Sequence, residues 1–323
     1  MKLVRTLRGA QDLALAIGNF DGVHLGHQAL LAEAVRIAAK RTLIPAAMSF
    51  HPLPREAFAR MTGASMPVRL MSVTEKLTAL DQAGIKTLFL PKFDRTFAAQ
   101  LPNDFAKALA AMSVRWVITG EDFRFGAKRA GDAAMLRALG AQHGFEAATL
   151  PDVSLGDQRV SSTAIREALA RGDMKSATSM LGRHYAIVGR VTHGKKLGRT
   201  LGFPTINVSL SGRNPALSGV FAVQCRLVTR GLEGVAGQGG MILNGVANLG
   251  TNPVVSSENR QHLEVFLFDF SSDLYGQRVE VTFIEKIRDE LKLASLDALV
   301  VQMHEDARRA KDILRKIDDG NKS

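Results

Sequence analysis

Residues 16–31, AIGNFDGVHLGHQALL, concentrate side chains suited to handling a phosphate. An apolar run from Leu13 to Ile17 stops at Gly18. Asp21, Gly22, His24, Gly26 and His27 follow, and apolar spacing resumes at Leu30. This reads as a strand, a tight turn and a helix with two imidazoles in its first turn. Gly22 and Gly26 are expected to clear bulk where a phosphate approaches the backbone. The helix start adds unpaired N–H groups and the positive end of the peptide dipoles. His24 and His27, three apart, share a helix face. They suit a transition state that gathers charge on phosphate oxygens. Gly18, Phe20 and Asp21 complete the candidate site. A glycine turn with surface or core histidines is the plainer alternative, but two His and two Gly within eight residues behind a strand favour the phosphate site. The stretch is not a Walker A motif, because no G-K-[ST] follows, and it is not the dinucleotide G-x-G-x-x-G.

Four further strings carry possible chemistry. In VSSTAIREAL, 160–169, Ser161 or Ser162 can cap a helix that sets Arg166 a turn away from Ser162 and Thr163. Hydroxyls, terminal amides and a guanidinium make an anion clamp, where a capped surface helix would need only one hydroxyl. In GKKLGRTLGFPTIN, 194–207, Gly194, Lys196, Gly198 and Gly202 lie on an irregular backbone. Thr205 and Asn207 then alternate onto one strand face. Their hydroxyl and amide oxygens are hard donors, suited to a Mg²⁺ that keeps waters and phosphate oxygens. A solvated strand face explains them equally well. In HLEVFLFDF, Glu264 alternates with apolar residues, and a carboxylate near a substrate hydroxyl can act as base in phosphoryl transfer. In GEDFRFG, 120–126, Phe123 and Phe125 can anchor the core or stack on a ligand ring; core anchoring fits one of them. HPLPRE, 51–56, should be a stiff loop, since two prolines are expected to stop any regular element there. His51 and Arg55 could face a triphosphate from it, and a plain connection fits as well.

The elements that must position these groups fall into two regimes. Helical periodicity covers about 25–41, 72–83, 102–112 and 131–143, and apolar runs of strand length cover 43–50, 86–90, 114–119 and 145–150. Such alternation implies a parallel sheet with helices on both faces, a Rossmann-like α/β domain over 1–183. A short helix, 173–181, closes it. From HYAIVGRV onward, β-rich runs separated by Gly and Pro extend to 283, and imply a small antiparallel barrel. A final amphipathic helix, 295–317, with Ser295 as its cap, completes a second domain over 184–323. The loop 231–240, GLEGVAGQGG, is expected to be mobile.

Composition narrows the function classes. At 323 residues, 46% apolar and 23% charged, two ordinary globular domains are expected. The single Cys225 excludes an internal disulfide and a multi-cysteine zinc site. The start, MKLVRTLRGAQD, is too charged for a secretory signal, and no apolar stretch reaches the ~18 residues of a membrane span. A cytoplasmic location follows as an expectation. The net charge is +11, and residues 1–183 hold 24 basic against 16 acidic side chains. Aromatics make up only 6%, so stacking platforms for nucleic acid are scarce. Small anionic substrates account for the charge; no nucleic acid and no membrane partner is expected, and self-association is left open.

The H-x-G-H pattern resembles the nucleotidyltransferase superfamily. The longer GNFDGVHLGHQALL resembles one family within it, the bacterial bifunctional riboflavin kinase/FMN adenylyltransferase (FAD synthetase). SSTAIR, about 135 residues later, resembles that superfamily's second motif. The family also carries a proline loop like HPLPRE and a G-x-D-F-x-F-G string near its flavin and adenine sites. GKKLGRTLGFPTIN, GVANLG at 245–250, LEVFLFDF at 263–270, LYGQRVEVTFIEKIRDE at 274–290 and SLDAL at 295–299 resemble its riboflavin kinase domain. The resemblance implies riboflavin, FMN, FAD and ATP as reactants, with Mg²⁺. It places Thr205 and Asn207 at Mg²⁺-ATP, Glu264 as base, and Arg288 at the flavin. Phe266 stands where the family often has His, Asn252 and Val254 replace an Arg and a Thr, and Phe221 replaces a Tyr. A class I aminoacyl-tRNA synthetase also uses H-x-G-H, but no K-M-S-K-S string is present. A flavin- or RNA-binding protein on an inactive nucleotidyltransferase is the non-enzymatic alternative.

Overall fold

The structure is a computed structural model that describes residues 1–7, 11–193, 203–211, 213–230, 236–237, 241–251, 261–291 and 294–320. The expectations for Gly194, Lys196, Gly198, Gly202, Asn252 and Val254, and for most of the 231–240 loop, lie outside those residues.

Six strands form the first sheet: β1 (Lys2–Val4), β2 (Leu13–Ile17), β3 (Ile44–Met48), β4 (Thr87–Phe89), β5 (Val114–Gly120) and β6 (Glu146–Leu150). All pairs are parallel, in the order β1-β4-β3-β2-β5-β6. β2 is central and fully buried, which is why LALAI reads as an unbroken apolar run. Leu13, Leu15 and Ile17 pack with Phe105 and Leu109 of helix α5 (Pro102–Ala111) and Leu136 of α6 (Ala133–His143). Ala14 and Ala16 point the other way and are also buried. α1 (Leu25–Arg41) crosses β2, β3 and β5.

Two helices depart from the sequence reading. Pro54 does not end regular structure; it opens α2 (Pro54–Thr62) at the first helical position, where its missing N–H costs nothing. Glu56 accepts from Leu53 N at 2.9 Å and completes that start. α4 (Arg95–Ala98), capped by Asp94, is too short for periodicity to reveal. α3 (Val73–Gln82) follows the expected bounds closely.

The second sheet is a closed barrel of β7 (Tyr185–Thr192), β8 (Thr205–Val208), β9 (Gly219–Leu227), β10 (Ile242–Thr251), β11 (Gln261–Leu267) and β12 (Arg278–Arg288). Every pairing is antiparallel. Phe221 fills the interior edge-to-face with Phe283, at 5.3 Å between ring centres. A tyrosine hydroxyl there would need a partner in an apolar core, and Phe removes that demand. Cys225 is buried, and desolvation pushes its thiol up to about 12, so it stays protonated.

The last helix, α9 (Leu296–Gly320), starts with Ser295 accepting from Ala298 N, as a cap should. Its apolar face covers Val220, Ala222, Phe266, Phe268 and Ile284 on the outside of the barrel.

The chain divides into two compact units: residues 1–67 with 73–161, and residues 68–72 with 162–323. Helices α7 (Ser162–Arg171) and α8 (Met174–Leu181) therefore pack with the barrel unit, α8 touching β7 and β12. The expected division at 183 thus falls inside the second unit, just before the first barrel strand at Tyr185.

Candidate active sites

β2 sends its chain through α1 to β3, while β5 leads to β6 on the other side. The order reverses between β2 and β5, and ligands of open α/β sheets bind outside the strand ends at such a point. The two loops leaving it are 18–24 and 120–126.

The 18–24 loop is strained, and it is buried from Phe20 onward. Phe20 and Val23 hold positive φ of 46° and 41°, and Gly22 holds 91°. Phe20 and Asp21 are 0% and 2% exposed. His24 is the N-cap of α1 rather than a residue of its first turn, and His27 N donates to its Nδ1 at 3.4 Å. The two imidazoles stack at 3.7 Å between centres, and Phe20 meets His27 edge-on. Gly26 has a role that its sequence did not show: a Cβ there would lie 3.3 Å from the His24 ring, so the glycine makes room for the cap. A Cβ on Gly18 would likewise crowd the Phe20 ring at 3.2 Å.

His27 Nδ1 is shielded and has no hydrogen-bond partner among the described residues. An orphaned buried nitrogen is costly unless a ligand meets it. Burial, then the charges of His24 and Lys76, holds His27 well below the usual histidine value of 6.5. It therefore acts as a neutral hydrogen-bonding group near pH 7. Below about 6.5 the unfolded chain takes up a proton that folded His27 refuses, so stability is lost as pH falls from there. We expect denaturant unfolding of His27→Gln to show a shallower loss between pH 7.5 and 5.5 than wild type.

Lys76 was not singled out by sequence. It sits on the inward stripe of α3 with Leu80 and is 5% exposed. Its Nζ donates to Asn19 O at 2.6 Å and Ser49 Oγ at 2.9 Å. Phe125 belongs to the core at 7% exposure, while Phe123 stacks on it at 5.5 Å and remains half-buried. The rings continue through Phe105, Phe97 and Phe93 to Phe58, which is 48% exposed, with Phe50 against both Phe93 and Phe97. Scattered single phenylalanines gave no pattern for this aromatic row. His51 and Arg55 are exposed at the neighbouring end of β3 and start of α2.

Ser162 and Thr163 open α7, and Arg166 Nε donates to Val68 O at 2.6 Å, so the guanidinium is braced by the 68–72 segment.

On the barrel, Asn207 lies directly opposite Glu264, which lies opposite Asn248. Thr205, Phe266 and Val246 form the next row. Side chains of paired residues share a face, so Thr205, Asn207 and Glu264 come together on the outside of the barrel. Glu264 is exposed, between amides. Phe266 turns to Phe203 and Phe268 beneath α9, an apolar use that a histidine would not serve as well. Asp269 lies in a turn at φ 53°, beyond the end of β11, and is not on Glu264's strand.

Arg288 is committed to α9. Its Nε and Nη2 reach Asp306 at 2.9 and 2.6 Å, its Nη1 reaches Asp289 O, and Gln302 also holds Asp306. The pair is 17% and 5% exposed. The guanidinium braces barrel to helix. Removing one partner of a buried pair strands the other charge. Asp306→Ala is expected to cost about 3 kcal/mol of stability, read as a lower denaturant midpoint.

Comparison with known proteins follows the same division. The family model described as FAD synthetase matches residues 8–164, and that for riboflavin kinase matches 181–314. The bifunctional riboflavin kinase/FMN adenylyltransferase of Haemophilus influenzae is 44% identical over 96% of this chain and 98% of its own. This chain belongs to that family. The Escherichia coli K12 member is 41% identical over 97% of each chain. A Streptococcus pneumoniae crystal structure named as a macrolide-efflux protein superposes with a TM-score of 0.78, at 28% identity, over 94% of this chain and 96% of its own. Among the described residues, no helix of this chain is long and apolar enough to cross a membrane.

Proposed function

We propose that this chain makes FAD from riboflavin in two steps, one per family domain. Residues 184–323 phosphorylate riboflavin with ATP to give FMN; residues 1–183 join FMN to the AMP part of a second ATP, releasing pyrophosphate. The observation that carries this reading is that each half holds its own constellation. One is the imidazole stack at the sheet's switch point, with its unpartnered His27 nitrogen; the other is the Thr205, Asn207 and Glu264 face of the barrel.

In adenylyl transfer, an FMN phosphate oxygen attacks the α-phosphorus in line, and the bond to pyrophosphate breaks. His27 donates a hydrogen bond to oxygens that gain charge, with His24 stacked beside it and the loop amides of Gly22 and the α1 start around them. Ser162, Thr163 and Arg166 form a further anion clamp at the start of α7 in this reading. The aromatic row ending at Phe123 and Phe58 offers ring faces to the isoalloxazine. No covalent intermediate on the protein is needed.

In the kinase step, Glu264 takes the proton of the ribityl hydroxyl as that oxygen attacks the γ-phosphorus, and ADP leaves. Thr205 and Asn207 fit Mg²⁺, being neutral oxygen donors two apart on one strand face beside a carboxylate. When bound, the ion neutralises phosphate charge. Both reactions are expected to stop in EDTA and return with Mg²⁺, and purified active protein should hold no stoichiometric zinc by elemental analysis.

The direct test is chromatography of flavins after incubation with riboflavin and ATP. FMN followed by FAD is the expected result. One product alone would leave a single activity, and tight RNA binding without turnover would replace the reading.

A further inference from the structure

A lysine occupies a core position of α3, and the packing there does not call for one. Lys76 and Leu80 are the buried residues of that helix, one turn apart on the face toward the sheet. An apolar side chain would fill the site without the cost of burying an ammonium. What the ammonium does there is visible in its partners. It grips the carbonyl of Asn19, in the strained loop that precedes α1, and the hydroxyl of Ser49, at the end of β3. Ser49 Oγ itself donates to Asn19 O at 3.0 Å and is wholly buried. Three groups from α3, β3 and the loop thus close on one another just before the positive-φ residues Phe20, Gly22 and Val23. Those residues carry the backbone to His24 and so to the stacked pair.

We propose that Lys76 is a positioning residue for adenylyl transfer: its ammonium pins the 18–24 loop to the sheet and sets a fixed positive charge behind the imidazole stack. The inference rests on the adenylyltransferase reading of this site. Holding the loop fixes where the His27 nitrogen meets the phosphate. The charge adds to burial and to His24 in keeping His27 a neutral, hydrogen-bonding ring. The groups that face His27 are His24 and Phe20 from its own segment and Lys76 from α3. Asp21, buried in the same loop, is the carboxylate nearest in sequence. Burial chiefly disfavours the imidazolium, and His24 and then Lys76 add to it.

The test uses the full chain with Lys76→Met, Lys76→Arg and Ser49→Ala. Lys76→Met is expected to lower kcat for FAD formation from FMN and ATP about 100-fold, the scale of losing one aligned donor. KM for ATP should stay within threefold, and riboflavin phosphorylation should be unchanged. The His27 ring signal, followed by NMR against pH, should titrate closer to 6.5 in Lys76→Met than in wild type. Lys76→Arg keeps the charge and should keep the low midpoint. Ser49→Ala keeps the charge and loses one tie; its midpoint should stay low while kcat falls about tenfold. A kcat within threefold of wild type in Lys76→Met would overturn the proposal. So would a slower enzyme whose His27 midpoint has not moved, because that is a packing defect alone. If Lys76→Met does not fold, Ser49→Ala decides, and a kcat within threefold of wild type there overturns the proposal. The titration needs no turnover, so it tests the lysine even if wild type makes no FAD.

Discussion

Replacing His27 with alanine is expected to abolish FAD formation from supplied FMN while riboflavin phosphorylation stays nearly intact. The imidazole nitrogen is buried, has no hydrogen-bond partner among the described residues and is kept neutral, so in the proposed reading its value lies in meeting a phosphate oxygen as charge develops there. Losing one such donor typically costs about 10²–10³ in kcat. Its stacking partner His24 would also lose its face contact, which adds to the loss. The barrel lies in the other compact unit and has its own core, so the kinase step has no reason to change. Paired assays on one preparation read both rates. Equal loss of the two activities in a folded protein would contradict separate sites.

Glu264→Gln is expected to lower the kinase rate about 10²–10⁴-fold, or roughly 3–5 kcal/mol of barrier. The substitution keeps size and hydrogen bonding but cannot take a proton. Glu264 is exposed, and its cross-strand neighbours are the amides Asn207 and Asn248. Among the described residues no ion pair holds it, so stability should change by less than about 0.5 kcal/mol. FAD synthesis from supplied FMN should be unaffected. A kinase rate within threefold of wild type would remove Glu264 as base. Asp269, the other carboxylate of that segment, is then a poor substitute, because its turn carries it off the strand that faces Thr205 and Asn207.

The Streptococcus pneumoniae relative shares the fold along nearly its whole length, but its name speaks of efflux. The chemistry of this chain's two sites gives that word no support here. In the proposed reading, the His27 nitrogen and the oxygen-donor face both handle phosphate.

Much of this protein was legible in its residues. Long periodic segments such as 25–41 and 102–112 became helices at nearly the expected bounds, because an amphipathic stripe and its caps are local properties. The apolar runs became strands for the same reason, and the two-regime division anticipated a parallel sheet followed by a barrel. Motif spacing alone put Thr205 and Asn207 on one face, since strand alternation has a fixed period of two. Strand order and register were not local, so only the tertiary structure set Glu264 opposite Asn207 and put the 18–24 loop at the reversal point. Side-chain partners were hidden for the same reason. Gly26 yields its space to an imidazole, Arg288 is spent on Asp306 from a helix 18 residues on, and Phe125 is core where Phe123 is not. Lys76 is the clearest case. In sequence it is one lysine on an ordinary helix. Only burial against Asn19 and Ser49 turns its charge toward His27, because a charge gains its influence when water is excluded from around it.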